Sequence, residues 1–309
     1  MKRGLLVFAL VMFIIGGGAF AQDLGVTAGL EFGIGQLNHE DADAMDSAWL
    51  RPMFMYENTD LVEGLRIYAE LGLPLWFSDH AEEFWMGMDL TLSGTFNLEL
   101  SPEGTLGLML ESASAFWFGG DDAVGPIFRE PAPRGALFRH SNEVYDNFAT
   151  GLGIGVRYTH NLGAMNVFGQ VNTAFNLFAD GDYTPDALDN LFLDFQLGMS
   201  MGLDAGVLGF LVGLDMDLQL GGESPDDTLH TLWFMPSFTF ADFPLYVQVE
   251  IVVPMYEDGM DIEGMTIIPE FRFMAMDNLQ LYFNLPMWNI GADYGDLALG
   301  LGLGVLFRF

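Results

Sequence analysis

Polar and apolar positions alternate along nearly the whole chain. In residues 24–34, Leu24, Val26, Ala28, Leu30, Phe32 and Ile34 fall on one side of an extended backbone, and Gly25, Thr27, Gly29, Glu31 and Gly33 fall on the other. The last stretch repeats the pattern: Leu297, Leu299, Leu301, Leu303, Val305, Phe307 and Phe309 alternate with Ala298, Gly300, Gly302, Gly304, Leu306 and Arg308. Successive side chains of a strand point to opposite faces, so a period of two keeps the sets apart where a helix would mix them.

This pattern predicts fourteen strands, near 23–36, 48–57, 63–77, 84–100, 105–118, 148–160, 164–179, 191–204, 207–220, 229–240, 245–255, 265–276, 279–288 and 296–309. Their lengths suit the roughly 9–11 residues of a tilted membrane-crossing strand plus overhang. The connections alternate strictly. Short ones at 58–62, 101–104, 161–163, 205–206, 241–244 and 277–278 take turns with longer ones at 37–47, 78–83, 119–147, 180–190, 221–228, 256–264 and 289–295. Short turns on one side and long loops on the other, with an even strand number, are the expected layout of a transmembrane barrel. Without the two divisions near 205 and 277, which rest on very short turns, the count falls to twelve. Pro52, Pro74, Pro236, Pro254, Pro269 and Pro286 sit within or at the ends of these strands. Proline cannot donate to a ladder, and Pro236 lies near a strand middle where that loss has no evident remedy.

Charge decides which face meets lipid. Read in register, the apolar face of all fourteen segments carries no Asp, Glu, Arg or Lys. An Arg or Lys at the bilayer midplane costs about 2–4 kcal/mol, whereas a soluble barrel would use outward charges for solubility. The other face holds Glu31, Glu70, Asp89, Glu99, Glu111, Asp194, Asp215, Asp217, Glu250 and Glu270, together with Arg51, Arg66, Arg157, Arg272 and Arg308. After residues 5–15 no apolar run approaches the ~18–20 residues of a membrane helix. A chain that crosses lipid must then close its sheet, because every backbone amide needs a partner there. The expected fold is all-β: a transmembrane, antiparallel, up-and-down β-barrel.

Composition adds the export route. Lys2 and Arg3, the apolar run at 5–15 and Ala19-Phe20-Ala21 have the form of a cleaved signal peptide over 1–21, leaving a barrel over 22–309. Removing Lys2 and Arg3 leaves eight basic residues, all arginine, against 43 acidic ones, a formal charge of −35 on a sequence that is 51% hydrophobic overall. Such a balance excludes a basic face for nucleic acid. The absence of cysteine excludes disulfides, thiol metal sites and a lipid-anchored cysteine.

The C-terminal run Val305-Leu306-Phe307-Arg308-Phe309, ending on phenylalanine, resembles the assembly signal of bacterial outer-membrane β-barrel proteins. The resemblance implies insertion into outer-membrane lipid, with Val305, Phe307 and Phe309 read by the barrel-assembly machinery. Within that family the strand number is similar to that of monomeric, porin-like fourteen-stranded pores. Fatty-acid transporters of this size carry a plug before the first strand. Here the first strand starts at Leu24, directly after the expected cleavage, which lowers that reading.

Fourteen strands lie nearer the ~16–18 that leave an aqueous channel than the eight that fill themselves. Inward glycines such as Gly29, Gly72, Gly155, Gly198, Gly213, Gly302 and Gly304 would leave room for water. Ten inward acids against five arginines favour cations. The 29-residue loop 119–147, expected to be extracellular, holds Arg129, Arg134 and Arg139 and could fold into the acidic mouth as a constriction. The acidic loops lack the spacing of a calcium loop, so a solvated rim is the better reading. His140 beside Ser141 has no oriented third partner, and Gly151-Leu152-Gly153-Ile154-Gly155 is a strand and not a phosphate loop. No enzyme and no cofactor are expected. The function expected is an outer-membrane channel for passive diffusion of small hydrophilic solutes, preferring cations. The alternatives are a closed-lumen structural or adhesive surface barrel, and a transporter of hydrophobic substrates for which Trp76, Trp85, Trp117, Phe168 and Phe178 would line the interior.

Overall fold

The computed structural model describes residues 25–39, 42–78, 83–118, 148–180, 190–219, 229–256, 265–290 and 298–309. Nearly all of them are strand: β1 Val26–His39, β2 Ala42–Val62, β3 Leu65–Gly72, β4 Leu75–Ser78, β5 Glu83–Ser101, β6 Gly104–Phe118, β7 Phe148–Asn161, β8 Met165–Asp180, β9 Asn190–Leu203, β10 Gly206–Gln219, β11 Leu229–Phe240, β12 Leu245–Tyr256, β13 Met265–Met276, β14 Leu279–Asn284, β15 Met287–Ile290 and β16 Ala298–Arg308. Each pairs antiparallel with its neighbour in sequence. β1 pairs with both β2 and β16, so the sheet closes on itself. β3 and β4 are two halves of one crossing strand, as are β14 and β15, which gives a closed barrel of 14 strands. The divisions near 205 and 277 are true hairpins, with Gly206 opposite Leu203 and Leu279 opposite Met276. Twelve strands are thereby excluded.

The prolines explain the breaks. Pro74 and Pro286 interrupt their strands after Gly72 and Asn284. Their carbonyls still accept from Gly87 N at 2.8 Å and from Gly300 N at 2.9 Å, so the wall stays continuous. Pro236 is accommodated without a slip. β11 and β12 pair from Leu229↔Tyr256 to Phe234↔Ile251, then resume in the same register at Ser237↔Gln248. The ladder is missing only across Met235 and Pro236, where the imide has no proton to give.

Exposure alternates as the period-two pattern requires. Asp194, Gln196 and Gly198 are buried, while the intervening Phe195 and Leu197 are exposed. Among the strand residues whose side chains are described, no Asp, Glu, Arg or Lys stands on the outward face. Outward phenylalanines cluster toward the end that carries the short turns. Phe238 and Phe240 meet edge-on at 4.8 Å, as do Phe307 and Phe309, and Phe243 lies 5.8 Å from Phe273. Such a girdle marks the interface of a membrane barrel. At this end Gly64 and Gly163 turn the chain with φ of 81° and 84°, a region glycine enters freely.

Candidate functional site: the barrel interior

Alternation brings the charged residues to one enclosed face, where they sort into networks around the middle of the strands. The first centres on Arg51 of β2, which is 5% exposed. Its guanidinium lies 3.6 Å from Glu31, 3.0 Å from Glu70 and 3.6 Å from Asp89, joining β1, β2, β3 and β5. The Tyr68 hydroxyl donates to Glu70 as well. The second converges on Asp194 of β9. Asn172 Nδ2 donates to Asp194 Oδ2 at 2.6 Å, Gln196 donates to the same oxygen, and Gln170 Nε2 donates to Asn172 Oδ1 at 3.2 Å. Asp215 of β10 stands directly opposite Asp194 and accepts from the Trp233 indole at 3.1 Å. A third group joins Arg272 to Glu270, with the guanidinium 5.3 Å from the Tyr246 ring, while the Tyr246 hydroxyl donates to Gln248 at 2.5 Å.

Glu31, Glu70, Glu111, Asp194, Glu250 and Glu270 are all buried, and Asp89 and Asp215 are partly so. Glu99 is exposed near the short-turn end, where Arg66 also sits, 2.8 Å from Glu57 with about half of its side chain accessible. Arg157 is partly buried and Arg308 is exposed. The side chains of Asp217, Trp76, Trp85, Trp117 and Phe178 lie outside the described ones, as do Arg129, Arg134 and Arg139, the loop 119–147 and the peptide 1–21.

The inward glycines do not leave the space expected of them. A Cβ at Gly213 would run into the Trp233 ring, one at Gly304 into Tyr282, and one at Gly302 into Asn284. Others at Gly155, Gly198, Gly72 and Gly29 would meet Asn172, Phe168, Arg51 and Met53 respectively. Each missing side chain is the bed on which a larger one from the next strand lies flat, an arrangement known as aromatic rescue where the large residue is a ring. Trp233, with no exposed surface, packs with Met235, Val252 and Leu211 into an apolar wall. Sequence reasoning passes over Trp233 and over the amides Gln170, Asn172, Gln196, Gln248 and Asn284, although their inward parity was visible.

Nearer the short turns the interior opens. A cavity of about 420 Å³ is bounded by β3 and by the strands from β5 through β12. Its walls include Arg66, Arg157, Phe168, Leu211, Met235 and Tyr246.

No protein-family model and no curated protein matches the chain. Solved structures do. A deltaS2 mutant of TodX, described as a monoaromatic hydrocarbon channel, aligns over 92% of this chain and 89% of its own, with a TM-score of 0.54 at 9% identity. The two share one fold, a closed antiparallel β-barrel. The Pseudomonas putida toluene transporter TodX gives 0.50 over 94% and 91% at 10% identity, and OprB of the same organism gives 0.49 over 96% and 97% at 8% identity. At these identities the likeness is one of architecture.

Proposed function

We propose that this protein is an outer-membrane channel for passive diffusion of small hydrophilic solutes, with a preference for cations. The observation that carries this reading is the closed ring of 14 strands whose described side chains are charged on the inward face and uncharged on the outward one. The described inward acids Glu31, Glu70, Asp89, Glu99, Glu111, Asp194, Asp215, Glu250 and Glu270 outnumber the five arginines. Carboxylates around a narrow passage raise cation occupancy. The loop 119–147 would narrow the mouth through Arg129, Arg134 and Arg139. Residues 1–21 would direct export, and Val305, Phe307 and Phe309 would engage the barrel-assembly machinery.

The packing around Arg51 and Trp233 favours a second reading, a closed-lumen structural or surface barrel. The apolar wall at Trp233, Met235 and Val252, with TodX described as a transporter of toluene, supports a third, passage of hydrophobic substrates. Planar-bilayer recording of refolded protein under a salt gradient separates them. Discrete conductance with a cation-selective reversal potential is expected. Silence removes the channel, and an anion-selective potential removes the charge argument. Unchanged conductance after deletion of 122–144 removes the constriction.

A further inference from the structure

Of the inward arginines, Arg157 and Arg308 stand outside the networks above, and of these two Arg157 is the one partly buried in the lumen. Arg51 holds three carboxylates, Arg272 pairs with Glu270, and Arg66 pairs with Glu57. Among the described residues no carboxylate lies within ion-pair distance of Arg157. Its guanidinium carbon instead lies 3.7 Å from the centroid of the Phe168 ring. Phe168 can lie down because its neighbour across β8 and β9 is Gly198, where any Cβ would strike the ring. The order glycine, phenyl, guanidinium therefore fixes a cation against the wall, with its hydrogen-bonding edge left for something else. A guanidinium partly withdrawn from water bonds a charged acceptor most strongly, and its planar fork matches a carboxylate in two-point fashion.

The surroundings state what else the acceptor must carry. Arg157 and Phe168 border the 420 Å³ cavity, which falls within the roughly 300–1,000 Å³ of small-molecule sites. The strands β10, β11 and β12 contribute Leu211, Met235, Tyr246 and Gln248 to its wall, an apolar surface with one hydroxyl and one amide. Arg66 also lines the cavity, with half of its side chain accessible near the short-turn end, and the buried Glu111 lies in the same wall. We propose that this cavity is a binding site for a small organic monocarboxylate with an apolar body, the carboxylate on Arg157 and the body against Leu211, Met235 and Tyr246. The site does not depend on conduction, and it holds whether or not ions traverse the lumen.

Benzoate is the probe, titrated calorimetrically into refolded protein in detergent micelles. Saturable binding is expected, weakened about tenfold or more by Arg157→Gln. Benzamide, with the same ring and no charge, and acetate, with the charge and no ring, should each bind at least about tenfold more weakly, since each lacks one of the two anchors. Gln170 stands directly opposite Arg157, so Gln170→Glu places a rival carboxylate beside it and should reproduce the loss with the arginine in place. This second variant keeps the test decisive if Arg157→Gln does not refold, as judged by its heat-modifiable mobility. Absence of saturable benzoate binding overturns the site. Unchanged affinity in the refolded variants, or equal affinity for benzamide, overturns the role of Arg157.

Discussion

At the scale of single residues, the interior depends on pairs that no one strand contains. Arg51 illustrates the energetics. Three carboxylates converge on it, two of them as buried as itself, so its removal leaves uncompensated charge away from water. Arg51→Met should cost about 3–5 kcal/mol, the usual cost of orphaning a buried partner, read as a lower denaturant midpoint at constant slope. Adding Glu70→Gln should recover part of it, because the two effects are coupled. The inward parity of Arg51, Glu31 and Glu70 was legible in the sequence. Their meeting was not, because it depends on registers between β1, β2 and β3 that one sequence does not reveal. The glycines make the point more sharply. Gly213 reads as a vacancy in its own strand, yet it is the floor under Trp233, a relation visible only once Gly213 and Trp233 stand opposite each other.

At the scale of elements, the alternation was sufficient for nearly every strand. Lipid imposes the same two-sided rule on each one, so the periodic signal survives without long-range information. What the pattern left unexplained was proline. Pro74 and Pro286 divide their strands, and Pro236 is tolerated by the loss of ladder contacts across two positions while the register continues. The outward face supplies a depth-dependent test. Leu197 is 66% exposed near the middle of β9, and Leu100 is 61% exposed at the short-turn end of β5. Leu197→Arg should lose about 2–4 kcal/mol in a lipid bilayer, and Leu100→Arg about 0–1 kcal/mol. Equal losses in vesicle-reconstituted unfolding would place the hydrocarbon elsewhere on the surface.

At the scale of the whole molecule, closure was legible from strand parity and loop lengths. The filling of the interior was not, because it is a property of the assembled ring. The ring also brings the two ends of the described barrel together: Phe309 N donates to Val26 O at 2.9 Å, and Thr27 stands opposite Arg308. In a circle of hydrogen bonds no strand is first. A short linker joining 309 to 25 and a new break between Asp204 and Ala205 would make a circular permutant with every ladder intact. It should refold in micelles with the parent's stability and heat-modifiable migration. In cells it would end on Asp204, and insertion should fail if the machinery reads Val305, Phe307 and Phe309 as a terminus. The seam between β1 and β16 would then prove to be an address label for delivery, separable from the physics of the finished wall.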